Sequence, residues 1–318
     1  MSDHIVRRGE AAEGPFALVI TPKTAGWGYS SLRILELEAG GSATFATGED
    51  EAVVLPLEGG CTVACDGQEF ALTGRRNVFS RVTDFAYVPR DAEVTVSSAG
   101  GGRFALPAAR ATRRLEPRYG PAEGVSVELR GAGQSSRQVN NFCMPATFEA
   151  DKLIAVEVLT PSSNWSSFPP HKHDEDREGE SVLEEVYYFE VDNDGPGYQR
   201  VYTSGPGREI DVCTEVRSGD TVLVPHGWHG PSMAAPGYHL YYLNVMAGPG
   251  DERVWQICDD PAHAWVRGTW EDQEIDPRLP LTSTEERPPE RQRGDTPDAE
   301  RPQGDIPDVQ THTEGEQP

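Results

Sequence analysis

The sequence predicts an all-β protein built from two related barrel-like domains of the jelly-roll type, and three observations carry that reading. Residues 16–108 and 152–247 are both written in short alternating apolar runs separated by Gly, Asp and Pro turns. The first of these stretches lacks the 3.6-residue periodicity of an amphipathic helix, which leaves a sandwich, barrel or jelly roll. The halves also resemble each other. Arg33–Gly41 (RILELEAGG) runs parallel to Ala155–Ser163 (AVEVLTPSS), and Asp84–Glu93 (DFAYVPRDAE) to Asp220–His229 (DTVLVPHGWH), at similar distances into each half. Internal duplication of one β-domain explains this economically.

Taken in order, residues 1–110 form the first domain, with strands at Leu32–Leu37, Val53–Leu57, Cys61–Cys65, Ala86–Val88 and Val94–Val96. Ala39-Gly40-Gly41, Glu58-Gly59-Gly60 and Asp66-Gly67 read as turns, where positive φ is easily reached. Residues 111–150, rich in Arg and Gly with one strand-like run at Val125–Leu129, read as a connector. The second domain, 151–276, has strands at Leu153–Leu159, Val186–Val191, Tyr198–Thr203, Ile210–Val216, Thr221–Val224 and Leu240–Val245. From 277 to 318 the chain is dense in Pro, Glu, Asp, Gln and Thr and repeats GDTPD and GDIPD. Such a segment buries too little apolar surface to offset its ordering entropy, so a disordered acidic tail is expected. Deleting Leu281–Pro318 should then leave the melting temperature and turnover nearly unchanged.

Composition excludes several functions. The 318 residues carry 52 acidic and 28 basic side chains, a formal net charge of −24. Nucleic acid and anionic membranes need the opposite sign. Met1–Gly14 has no apolar signal core, and no run approaches a membrane span, so a soluble, cytoplasmic chain is expected. The five cysteines are scattered without a Cys-x-x-Cys pair and read as buried thiols in a reducing compartment.

The chemistry concentrates in Pro170–Val191 (PHKHDEDREGESVLEEVYYFEV) and Gly219–Gly230 (GDTVLVPHGWHG). His171 and His173 alternate on an extended strand and so share a face. With a carboxylate and His229 from a later strand they make a half-shell for a divalent first-row metal. The His-x-His pair, followed by Gly219, Pro225, Gly227 and His229 at their spacing, resembles the two sequence motifs of the cupin superfamily. General cupin spacing would choose Glu178 as the carboxylate. Strand parity places Glu185 beside Tyr187 and Phe189, while a shifted strand start would choose Glu184. The first half lacks His-x-His and has Glu93 where the second has His229, so a barrel without metal is expected there.

Longer strings carry a closer resemblance. NWSSFPPHKHD (Asn164–Asp174), LEEVYYFEV (Leu183–Val191), YYLNVMAGP (Tyr241–Pro249), DDPAHAWV (Asp259–Val266) and GWGYSSLRILELEAGGS (Gly26–Ser42) resemble the 5-deoxy-glucuronate isomerase family of inositol breakdown. The likeness covers about residues 15–270. It implies a bicupin, related to the 4-deoxy-uronate isomerases, that binds one divalent metal (zinc, manganese, iron or nickel) through His171, His173, Glu185 and His229. It implies aldose–ketose isomerisation of a small deoxyuronate in a homo-oligomer, without nucleic-acid or membrane partners. The reaction needs proton carriers, for which Tyr187 and Tyr242 are the candidates. The substrate carboxylate needs a guanidinium, for which Arg137 and Arg200 are the candidates. An iron-dependent cupin oxygenase and a non-catalytic sugar-binding cupin would share the ligands; oxygen dependence and turnover separate the three.

Overall fold

The computed structural model describes residues 4–288. Within them two β-barrels pack side by side. In the first, a sheet runs in the spatial order Arg118–Gly120, Phe85–Val88, Asp50–Cys65, Gly102–Arg110, Ser30–Leu37, Phe16–Ile20. Gly41–Ala46, Glu93–Ser98 and Gln68–Arg75 form the opposite wall on the far end of Asp50–Cys65. The two expected strands Val53–Leu57 and Cys61–Cys65 are thus one continuous strand. Glu58-Gly59-Gly60 is its corner rather than a turn. A Cβ on Gly59 would meet Gly101 O at 2.5 Å and one on Gly60 would meet Thr73 O at 2.6 Å, so only glycine lets the strand pass from one wall to the other.

The second barrel has a seven-stranded sheet in the order Ile5–Val6, Thr221–Val224, Glu184–Val191, Leu240–Ala247, Ile154–Thr160, Arg137–Cys143, Ser126–Arg130. Facing it are Asp211–Val216, Gly197–Tyr202, Trp228–Ala234, His171–Lys172 and Cys258–Asp259. Two sequence boundaries are thereby revised. Residues 111–150 are no simple connector, because Arg118–Gly120 joins the first barrel and two strands between 126 and 143 join the second. Ile5–Val6, from the N-terminal stretch, pairs with Thr221–Val222 of the second barrel.

Three apolar cores follow from strand parity. Leu35, Val54, Val63 and Phe104 fill the first barrel, and Val156, Phe189, Val201 and Tyr242 the second. Ile34, Val53 and Leu55 meet Val186, Tyr188 and Leu243 between the barrels. Glu184–Val191 therefore reads as a nearly unbroken apolar run because both of its faces are covered. Each large side chain so buried contributes about 1.5–3 kcal/mol.

Strand registers make the duplication explicit. Ala52 lies opposite Val88 and Ala108, as Glu185 lies opposite Val224 and Met246. Ser31 lies opposite Ala108, as Ile154 does opposite Met246. Asp84–Glu93 therefore matches Asp220–His229 as the sequence suggested, whereas Arg33 matches Val156, one residue away from the sequence alignment. A one-residue slip swaps the two faces of a strand, and no local pattern in either copy marks it.

The same registers make Glu51 the counterpart of Glu184, and each clasps the other barrel. Glu184 accepts the backbone N–H groups of Gly28, Tyr29 and Ser30 at 2.6, 2.8 and 2.9 Å. Glu51 accepts those of Asp151, Lys152 and Leu153 at 2.8, 2.6 and 2.7 Å. A buried Arg75–Glu157 ion pair and a half-buried Arg103–Glu190 pair cross the same interface.

The expected tail begins later than 277. Leu281 and Thr282 are buried, Gln138 Nε2 donates to Thr282 Oγ1 at 2.9 Å, and Val82 N–H donates to Ser283 O at 2.7 Å. Residues 289–318, with the GDTPD and GDIPD repeats, lie outside the described residues. Deleting residues 281–318 should therefore lower stability by about 2–3 kcal/mol relative to a chain ending at Arg287, through lost leucine burial and an orphaned glutamine. Equal thermal unfolding of the two truncated chains would contradict this. Among the described residues, no helix is long and apolar enough to cross a membrane.

Candidate metal centre

Glu184–Val191 sends alternate side chains to opposite faces, and this parity decides between the neighbouring glutamates. Glu184 faces the first barrel; Glu185 faces inward with Tyr187 and Phe189. Glu178 is exposed on the loop and takes no part. Glu185 Oε2 lies 3.0 Å from His173 Nε2 and 3.1 Å from His229 Nε2. His171, the strand partner of His229, has its ring centred 4.5 Å from that of His229 and 6.3 Å from that of His173. The three histidines and Glu185 thus converge, although the tightest donor group is His173, Glu185 and His229.

The arrangement suits a metal. His173 Nδ1 is 3.0 Å from Leu183 O, and His229 Nδ1 is 3.0 Å from Gly227 O. With each Nδ1–H donated to a carbonyl, the Nε2 lone pair points inward, where metal-binding imidazoles present it. His229 Nε2 is buried without a hydrogen-bond partner, the kind of orphan a cation satisfies. Glu185 Oε2, 3.0 and 3.1 Å from the Nε2 atoms of His173 and His229, completes a donor set that a cation would hold together.

Lys172, between the two histidines, points the other way. Its Nζ lies 2.7 Å from both Asp174 Oδ1 and Glu180 Oε1, while Asp174 Oδ2 accepts the Gly227 N–H at 2.8 Å. The acidic loop after His173 is therefore folded back by ion pairs. It ties the His171–His173 strand to the turn that carries His229.

The remaining candidates divide. Tyr187 and Tyr242 lie inside the barrel with rings 5.2 Å apart, and Tyr242 Oη is 3.0 Å from the hydroxyls of both Ser166 and Ser167. Burial pushes both phenols up, so they are neutral donors and not the tyrosinates a base would require. Arg137 is buried and faces inward beside Tyr242. Arg200 does not reach the site. Inward places on its strand belong to Gln199 and Val201, and its guanidinium pairs with Asp211 on the outer surface. Sequence reasoning missed Gln199 and Asn244, whose buried amide nitrogens lack partners, because neither stands in a motif.

The KduI/IolB family model matches residues 4–266. The chain belongs to the KduI/IolB family. It is 41% identical over 252 residues to a Geobacillus kaustophilus protein named 5-deoxy-glucuronate isomerase, covering 78% of this chain and 89% of that one. A Bacillus subtilis (strain 168) protein of the same name is 38% identical over 251 residues, covering 78% and 91%. Among solved structures, an IolB-like protein of Salmonella typhimurium superposes with a TM-score of 0.77 at 34% identity, covering 83% of this chain and 98% of that one. Lactobacillus farciminis oxalate decarboxylase, at 11% identity and a TM-score of 0.57 over 81% of this chain and 89% of that one, shares the bicupin fold alone. Within the family frame, the inward-facing His and Glu cluster of the second barrel could hold a metal ion.

Proposed function

We propose that this chain is a metal-dependent aldose–ketose isomerase that converts 5-deoxy-D-glucuronate into 5-dehydro-2-deoxy-D-gluconate in cytoplasmic myo-inositol catabolism. The observation that carries the reading is the inward-facing cluster of His171, His173, Glu185 and His229, in a chain whose relatives bear the isomerase name. These four residues would hold one divalent ion, and their imidazole and carboxylate donors suit zinc, manganese, iron or nickel. A bound ion would supply a Lewis acid that polarises the carbonyl and steadies charge on the neighbouring oxygen.

The chain supplies the rest. The reaction moves one hydrogen from C2 to C1 while the oxygens exchange roles: the aldehyde oxygen ends as a hydroxyl and the C2 hydroxyl as a ketone. Neutral Tyr187 and Tyr242 can donate to and accept from those oxygens, with Ser166 and Ser167 as relays. Gln199 Nε2 and Asn244 Nδ2, buried and unpartnered, are donors for sugar hydroxyls. Arg137 is retained for the substrate carboxylate and Arg200 is set aside.

Metal-replete protein should convert authentic 5-deoxy-glucuronate under argon as fast as in air, followed by NMR. Unconverted substrate would refute the isomerase, and an oxygen requirement would point to an oxygenase. Run in deuterated water, the same reaction incorporates deuterium if the C2 proton passes through an exchangeable base by an enediolate.

A further inference from the structure

A cavity of about 700 Å³ is bordered by Arg130, Arg137, Arg267, Trp255, Trp270 and Asp259, the last of which is the strand partner of His171. Its lining is rich in donors. Arg130 is occupied by Glu128 at 2.7 and 2.9 Å, and Arg267 by Asp259 through a two-pronged contact. Arg137 is different. It is 8% exposed, donates to Ser135 O at 3.1 Å, and has no carboxylate partner among the described residues. An indole ring, that of Trp270, lies 5.8 Å from its guanidinium and 5.1 Å from that of Arg267. The indole N–H groups of Trp255 and Trp270 are buried without acceptors. A buried guanidinium without an anion, together with two idle N–H donors, costs stability that nothing in the folded chain returns. Arginine is also the side chain whose planar fork fits a carboxylate.

We propose that this cavity is a carboxylate-binding subsite, with Arg137 as the anchor and Trp255 and Trp270 as flanking donors, and that it restricts the enzyme to acid sugars. The proposal deepens the isomerase reading and rests on it for the reaction, but not for the binding. Its position relative to the cluster follows from strand pairing: His171 lies opposite Asp259, the residue that holds Arg267. A six-carbon acid sugar would place its carboxylate at Arg137 and its aldehyde end, where C1 and C2 react, at the histidines. Discrimination then comes from the end of the substrate that does not react.

The test compares 5-deoxy-glucuronate with 5-deoxy-glucose, which carries a neutral primary alcohol in place of the carboxylate. Wild-type protein, Arg137→Met, Arg137→Lys and Trp270→Phe are measured for kcat and KM, metal content, melting temperature and uronate binding by tryptophan fluorescence. Arg137→Met should lower kcat/KM for the uronate on the order of 100-fold, mainly through KM. It should change the value for the neutral sugar by less than about threefold, keep the metal, and melt no lower than wild type, because an unpaired buried charge is gone. Arg137→Lys should recover part of the loss, and Trp270→Phe should cost about tenfold. Equal losses on both sugars, or unchanged uronate affinity in Arg137→Met and Arg137→Lys, overturn the subsite. A wild-type protein that binds the uronate through Arg137 without turning it over refutes the isomerase and keeps the subsite. One that binds no uronate refutes the subsite.

Discussion

Replacing His229 by Ala is expected to abolish metal binding and lower isomerase activity by at least about 100-fold, with the barrels still folded. Outer groups that merely orient a ligand already cost 10–100-fold when removed, so loss of a ligand sets the floor. His229 brings a buried Nε2 to within 3.1 Å of Glu185 Oε2. The fold should survive because the second barrel is held by its apolar filling (Val156, Phe189, Val201) and by the clasps at the barrel interface. Elemental analysis that finds full metal occupancy in His229→Ala would overturn the ligand assignment. Circular dichroism showing an unfolded variant would leave the same question to His173→Ala, for which the same loss is expected.

Glu184→Gln and Glu51→Gln should lower stability alike, by about 3 kcal/mol, yet only Glu184→Gln should weaken metal binding. Each amide brings a donor to a place where three N–H groups already converge, so both variants lose charge-assisted hydrogen bonds and gain a clash of donors. The two positions are equivalent by duplication, and what differs is the next residue. Ala52 follows Glu51, whereas Glu185 follows Glu184. On an extended strand, a shift at one residue rotates its neighbour on the other face. The barrel without the histidine cluster thereby fixes the direction of a ligand in the barrel that has it. Metal competition titrations alongside urea unfolding separate the effects. Equal metal affinity in the two variants would make both clasps purely structural.

Much of the site was legible because its residues sit in local patterns. His171 and His173 are two apart, His229 closes a Pro-x-Gly turn, and Tyr187 shares the parity of Glu185. The choice of Glu185 over Glu184 came from the family resemblance and not from the strand pattern. A two-residue period places two adjacent glutamates on opposite faces without saying which face is the interior. Arg200 was misplaced for the same reason, since its strand was recognised but its inward residues, Gln199 and Val201, were not. Trp255, Arg267 and Trp270 went unseen because they come from a C-terminal return that reaches Arg137 only in the folded chain.

The sequence by itself determined the all-β class, the duplication and the histidine set, because alternation, turn residues and motif spacing are local and survive in one dimension. Only the tertiary structure decided the register of the two copies, the join of Val53–Leu57 to Cys61–Cys65, the docking of Leu281 and Thr282, and the reciprocal clasps. Each depends on which distant backbone or core a residue meets. Glu51 and Glu184 look in the sequence like any acidic residue at a strand start; it is the N–H groups of the opposite barrel that make them the bolts between the two.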